Sequence, residues 1–259
     1  MIEVSHVRKI YQNDIILRDV SFQVERGECL GIIGPNGSGK STLLKLLSGV
    51  ERADEGTILL DGKEIEQHAR KDLARWLAVL QQETLPPVSF TVREVVEMGR
   101  FPYQNWLGED ERDADALVDL VLEKLGLTEL QHRSMENLSG GERQRVALGK
   151  TMAQEPKLLM LDEPTTYLDI GHQVHLMNQI RAWRQESEMT VVAVLHDLNL
   201  AALHCDRILM LHSGEIVAIG TPEQMVRREL IEDVYGITPL IVQHPDNGLP
   251  QVILPGQVG

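Results

Sequence analysis

The run Gly34-Pro35-Asn36-Gly37-Ser38-Gly39-Lys40-Ser41 constrains this chain more than any other eight residues. The apolar stretch Cys29-Leu30-Gly31-Ile32-Ile33 leads into it, and an apolar-periodic segment from Ser41 to Leu47 follows, stopped by Gly49. A buried strand, a glycine turn and a helix in that order are the parts of a phosphate-binding loop. The glycines let backbone N–H groups approach phosphate oxygens with no Cβ in the way, and the helix aims its N-terminal dipole at the anion. Lys40 would reach the β- and γ-phosphates of a nucleoside triphosphate, with Ser41 on Mg²⁺. Thr42 extends the same nucleotide-binding set.

Strands and helices alternate along the rest of the chain, as a parallel α/β core requires. Val20, Phe22 and Val24 alternate with polar neighbours before Arg26-Gly27 turns the chain, so an antiparallel β layer is predicted at the start. Leu158–Leu161, Thr190–Leu195 and Arg207–Leu211 read as buried parallel strands. From Gln82 to about Lys150 the texture changes. Val92, Val95, Val96 and Gly99, then Ala116, Leu117, Leu120, Val121 and Leu125, recur at helical spacing with no strand between them. The expected organisation is a core from 1–82 and 151–235, a helical insertion at 83–150, and a tail at 236–259 that is irregular or in short strands.

The chain has 259 residues, 42% of them apolar, and a net charge of −14. That acidity argues against non-specific nucleic-acid binding, which recruits basic surfaces. Cys29 and Cys205 are the only cysteines and read as reduced thiols. The start Met1-Ile2-Glu3-Val4 lacks a basic region before an apolar stretch, so no secretory leader is expected. No apolar run approaches the roughly 20 residues that span a bilayer.

Asp162 ends a predicted buried strand, where a carboxylate is costly unless a cation or hydrogen bonds compensate it. Mg²⁺ ligation is the role expected of it. Glu163 follows as the general base for the attacking water, the bland alternative being an acidic helix cap before Pro164. His196 closes another strand ahead of the helical run Asp197–Leu203 and is read as a γ-phosphate contact.

With Leu138-Ser139-Gly140-Gly141-Glu142 added between these elements, the chain resembles the ATP-binding subunit of an ATP-binding-cassette transporter, from the β layer to about residue 225. The resemblance implies a P-loop NTPase (RecA-like) α/β core with an N-terminal antiparallel β layer and an inserted helical subdomain. It implies ATP hydrolysis with Mg²⁺, in a dimer of two such subunits. Ser139, Gly140 and Gly141 would contact ATP held by the opposite copy, supported by the dipole of a helix from Glu142. Gln82, or its neighbour Gln81, would be the loop glutamine that senses Mg²⁺ and the γ-phosphate. Asp169 matches the dimer-contacting aspartate. Tyr11 matches the aromatic residue that stacks on adenine, with ordinary β-layer packing as the other reading.

Gly99-Arg100-Phe101-Pro102-Tyr103, Asp162 to Ile170, His196-Asp197-Leu198-Asn199 and His244 to Pro250 are similar to importer ATPases for ferric siderophores, haem and cobalamin. The resemblance then implies a peripheral subunit on the cytoplasmic face of the membrane. Its partners would be a permease, in two copies, and indirectly an external substrate-binding protein. Arg100, Phe101, Tyr103 and Trp106 are candidates for the permease contact, or else core of the insertion. Two rival classes are an exporter subunit and a cassette ATPase acting on nucleic acid; the second typically carries two cassettes or a coiled coil, which this chain lacks.

Overall fold

A computed structural model describes residues 1–81, 89–106, 110, 114–166, 168–254 and 256. The chain divides into two compact units, Met1–His68 with Thr190–Gly259, and Ala69–Met189. In the first, β1 (Ile2–Tyr11) and β2 (Asp14–Val24) form an antiparallel hairpin running from the pair Ile2 and Val24 to the pair Tyr11 and Asp14. Its turn residues Gln12 and Asn13 take φ of 49° and 88°, the left-handed values a tight hairpin demands. All five residues of β3 (Cys29–Ile33) are buried, so the strand is apolar throughout rather than alternating. α1 (Lys40–Leu47) buries Leu43, Leu44, Leu46 and Leu47. β4 (Glu55–Leu60) then pairs antiparallel with β1, and β5 (Lys63–Glu64) with β4, which gives a four-stranded sheet in the order β2-β1-β4-β5. This is the expected β layer.

In the second unit, α2 (Arg70–Trp76) leads directly into β6 (Leu77–Leu80). α3 (Val92–Glu97) opens on a capping box, in which the Thr91 hydroxyl accepts from the Glu94 N–H and the Glu94 carboxylate accepts from the Thr91 N–H. A 3₁₀ turn over Met98–Tyr103 continues it, and α4 (Ala114–Lys124) and α5 (Gly140–Ala153) follow. Among the described residues from 89 to 150 no strand occurs. The face Val92, Val95, Val96, Gly99 packs as its spacing predicts, with the valines buried. A Cβ on Gly99 would stand 2.1 Å from the Lys150 carbonyl oxygen, so only glycine lets this turn lie against α5. β7 (Leu158–Asp162) runs parallel to β6, and α6 (Ile170–Ser187) closes the unit.

Arg100 departs from expectation. It is 1% exposed and belongs to the interior of this unit rather than to a docking face. Its guanidinium donates to Asp110 at 2.8 Å, to Glu155 at 2.8 Å and to the Ala153 carbonyl at 2.9 Å, and it lies 4.1 Å from the Tyr103 ring centre. Tyr103 is scaffold as well, its hydroxyl donating to the Gln154 carbonyl at 3.0 Å. Phe101 and Trp106 are the residues left outside, 59% and 90% exposed. The ion-pair partners of Arg100 keep a buried cation compensated, which is what permits it there.

The chain then returns to the first unit. β8 (Thr190–Val194), α7 (Leu198–His204), β9 (Arg207–His212) and β10 (Glu215–Gly220) follow in order. β8 and β9 flank β3, both parallel to it, and β10 pairs antiparallel with β9. Beyond them lie α8 (Pro222–Met225), α9 (Arg228–Tyr235) and the antiparallel hairpin of β11 (Leu240–Gln243) and β12 (Pro250–Ile253). Val252 of that hairpin packs with Ala202, Val226 and Ile231 in one apolar cluster. Cys29 and Cys205 are both buried, and neither forms a disulfide among the described residues.

Candidate functional site

The loop between β3 and α1 is shaped by its glycines and by the first unit around it. Gly34, Gly37 and Gly39 take φ of 154°, 78° and 103°. A Cβ on Gly34 would meet the Leu211 carbonyl oxygen at 2.0 Å, whereas one on Gly37 would meet nothing within 4 Å. The loop is therefore wedged against β9 at its entry and open at its crest, where a ligand can approach. The Lys40 ammonium, only 5% exposed, folds back to donate to the carbonyls of Gly34 at 2.9 Å and Pro35 at 3.0 Å. Gly39 caps α1 without any side-chain hydrogen bond. The Ser38 hydroxyl is buried with no hydrogen-bond partner among the described residues. An orphaned buried hydroxyl beside an uncapped helix start fits an anion. Gly34, Pro35, Asn36, Gly37, Ser38, Gly39, Lys40, Ser41 and Thr42 thus form one continuous cradle.

Tyr11 meets this cradle. Its hydroxyl donates to Glu51 and interacts with the Thr42 side chain, while Lys9 lies 5.3 Å from its ring centre. Partial burial and the Glu51 carboxylate push its phenol up to about 12, so it is a neutral donor at every ordinary pH. His196 follows β8 in the same unit, exposed, and Asp197 beside it caps α7 by accepting from the N–H groups of Asn199 at 2.7 Å and Leu200 at 3.1 Å.

A second group of sequence-predicted residues assembles in the other unit. Ser139 caps α5, accepting from the Glu142 N–H at 3.3 Å and donating its proton to the Glu142 carboxylate at 2.8 Å. The helix thus begins at Gly140, two residues before the expected Glu142. Hydrogen bonds from the Ser139 backbone and side chain hold the Glu142 carboxyl below its ordinary value of 4.5. Because the folded value is depressed, this contribution is present above pH 4.5 and is lost as pH falls through the folded pKa. Ser139→Ala should cost about 1 kcal/mol in urea unfolding at pH 7. The gap to wild type should narrow towards pH 3, and an equal loss at both pH values would remove the carboxylate from the explanation.

Gly141 lies against the imidazole of His172, where a Cβ would stand 2.7 Å from Cδ2. His172 Nδ1 is 2.8 Å from the Asp169 carboxylate, which also accepts from the His172 N–H at 2.9 Å and caps α6. Those two interactions lower the Asp169 pKa. The structure therefore brings Gly141 and Asp169 together through a histidine that sequence reasoning missed.

Asp162 is the last residue of β7, and Glu163 follows with φ of 50°, a left-handed conformation uncommon for a glutamate. The loop after it is pinned by two glutamines. Gln144 of α5 donates to the Pro164 carbonyl at 3.2 Å, and Gln173 of α6 to the carbonyls of Leu168 at 2.9 Å and Thr165 at 3.2 Å. Gln144 is 3% exposed on the buried face of α5, among mostly apolar neighbours, a signal that could have flagged it. Gln82 and Tyr167 lie outside the described residues.

Residues 17–166 match the family described as ABC transporter. The petrobactin import ATP-binding protein FpuC of Bacillus anthracis is 39% identical over 92% of this chain and 87% of its own length. The ferric enterobactin transport ATP-binding protein FepC of Escherichia coli K12 is 39% identical over 94% and 90%. The hemin import ATP-binding protein HmuV of Pseudomonas fluorescens Pf0-1 is 43% identical over 96% of each chain. Among solved structures, the ADP conformation of the cassette MJ1267 is 26% identical and superposes with a TM-score of 0.80 over 91% of this chain and 97% of that one. The bacterial cassette MJ0796, solved as a dimer, is 28% identical with a TM-score of 0.75 over 85% and 98%.

Proposed function

Since this chain belongs to the ABC transporter family, we propose that it drives import of a metal chelate, with a ferric siderophore as cargo, through a membrane permease. It is an ATP-hydrolysing cassette with a P-loop fold. The observation that carries the assignment is the wedged glycine loop with its folded-back Lys40 and orphaned Ser38 hydroxyl. On ATP binding, Lys40 exchanges two carbonyls for the β- and γ-phosphates, and the α1 dipole faces the charge. Tyr11 stacks on adenine beside Thr42. Ser41 and, in the proposed set, Asp162 and Gln82 would hold Mg²⁺, which would supply charge neutralisation to the triphosphate. Glu163 takes a proton from the attacking water, and His196 contacts the γ-phosphate.

Ser139, Gly140 and Gly141 serve the nucleotide of a second copy, with Asp169 at the same contact. The dimeric MJ0796 cassette supports such a pairing. Among the described residues no helix is long and apolar enough to cross a membrane. A permease, in two copies, therefore holds the subunit at the cytoplasmic face and takes cargo from an external binding protein. Exposed Phe101 and Trp106 are the apolar residues offered to it.

Light scattering of Glu163→Gln with MgATP tests the shared site. The trapped protein should show twice the monomer mass, in isolation or with the permease. A persistent monomer in both settings refutes it. The hemin relative supports haem as a second cargo. Growth of a deletion strain on single iron sources separates the two, because only the true cargo should fail to support growth.

A further inference from the structure

The Tyr11 ring is tethered by a stretch of chain that none of the nucleotide-binding motifs includes. α1 begins at the phosphate cradle and ends at Leu47, and Gly49 beyond it turns left-handed at φ 69°. The N–H groups of Val50 and Glu51 both donate to the Lys45 carbonyl, at 3.0 and 3.2 Å. The chain therefore leaves the helix in one fixed direction. The partly buried Glu51 carboxylate then accepts a hydrogen bond from the Tyr11 hydroxyl and lies 3.7 Å from the Lys45 ammonium.

The residues after Glu51 close on the same part of β1. The Arg52 carbonyl accepts from the Lys9 ammonium at 2.8 Å, and the Asp54 carboxylate from the Ile10 N–H at 2.7 Å. The Asp54 N–H donates to the Arg8 carbonyl at 2.9 Å. β1 and β4 pair in unbroken register from Ile2 to Ser5, with a shift before Arg8 meets Glu55. These contacts take over where that ladder gives out. Lys9 in turn sits over the Tyr11 ring, 5.3 Å from its centre, and 3.7 Å from the Asp54 carboxylate. Arg8, Lys9, Ile10 and Tyr11 are thus each held by the stretch 51–54.

We propose that residues 51–54 clasp the end of β1 to the outlet of α1, with Glu51 as the positioning residue that sets the Tyr11 ring for adenine. The proposal rests on the reading of Tyr11 as the adenine platform. A base gains most from a ring that it meets at a favourable offset. A ring already held by its hydroxyl and by the cation over it loses little freedom when the base arrives. α1 serves both ends of the nucleotide, with Lys40 in its first turn for the triphosphate and Glu51 past its last for the platform.

MgATP binding to the full chain, measured for Glu51→Ala, Tyr11→Phe and the two together, is the test. Each single change removes the same hydrogen bond and should weaken binding about five-fold, as one such bond at a part-exposed site would. The double variant should then be no weaker than either single one. Glu51→Gln keeps an acceptor for the hydroxyl and should bind within about two-fold of wild type. Additive losses in the double variant overturn the clasp, since Glu51 would then act apart from Tyr11. A Glu51→Gln variant as weak as Glu51→Ala also overturns it, because the acceptor would not be what matters. Tyr11→Ala, which removes the ring, separates the clasp from the reading beneath it. If that change weakens ATP binding and Glu51→Ala does not, the clasp alone falls. If it leaves ATP affinity unchanged, the adenine platform falls and the clasp with it.

Discussion

Lys40→Ala should weaken MgATP binding by roughly two orders of magnitude, about 3 kcal/mol, as one charge-assisted contact in a desolvated site would. The side chain is 5% exposed, so its ammonium meets a triphosphate in surroundings that screen the attraction poorly. Its resting partners include the carbonyls of Gly34 and Pro35, neutral acceptors that bind an ammonium more weakly than an anion does. No neighbouring loop residue can substitute for it, because Gly34, Pro35, Asn36, Gly37, Ser38 and Gly39 offer no cation. Isothermal titration with a folded variant, judged by circular dichroism, makes the check. Wild-type affinity there would mean that the cradle holds something other than a triphosphate.

Arg100→Ala should be the most damaging change outside that loop, costing about 3–5 kcal/mol of stability. The guanidinium is compensated by Asp110, itself 8% exposed at its side chain, and by Glu155. Removing it takes the cation away from a buried carboxylate, from the Ala153 carbonyl and from the Tyr103 ring. The midpoint of thermal unfolding should drop by roughly 10 °C or more. Arg100→Ala, Asp110→Ala and the double variant complete a cycle, in which the double should lose little beyond either single change. Unaltered unfolding would return Arg100 to the docking surface suggested by its sequence neighbours Phe101 and Trp106.

The contrast between these two residues shows what the sequence could carry. Lys40 was legible because strand, turn and helix are contiguous, and each declares itself by local pattern: five apolar residues, three glycines, then leucines at helical spacing. The same locality made β7, β8 and β9 and the antiparallel layer readable. The partners of Arg100 lie ten and fifty-five positions away, so no window around Gly99–Tyr103 contains them. Its charge looked like surface because a compensating pair is a property of the packed fold. Ser139 and Glu142 stand at the spacing of a capping box, yet the glycines between them drew attention to a ligand rather than to the helix start. His172, Gln144 and Gln173 hold motif residues through an imidazole contact or backbone carbonyls, and none of these leaves a periodic trace.

The closed pair of hydrogen bonds between Ser139 and Glu142 bears on when two copies can meet. The single hydroxyl proton of Ser139 is already given to a carboxylate, and the cap is complete without any visitor. In the proposed role, a triphosphate from the second copy must take that proton over and leave Glu142 facing an anion. Closure is then a trade between two acceptors of like charge, with a free-energy difference much smaller than either bond alone. A nucleotide short of its terminal phosphoryl group makes a poorer bid for the proton, so the cap re-forms and the copies part. In that proposed role, the helix cap at Ser139 would set the threshold at which two copies close.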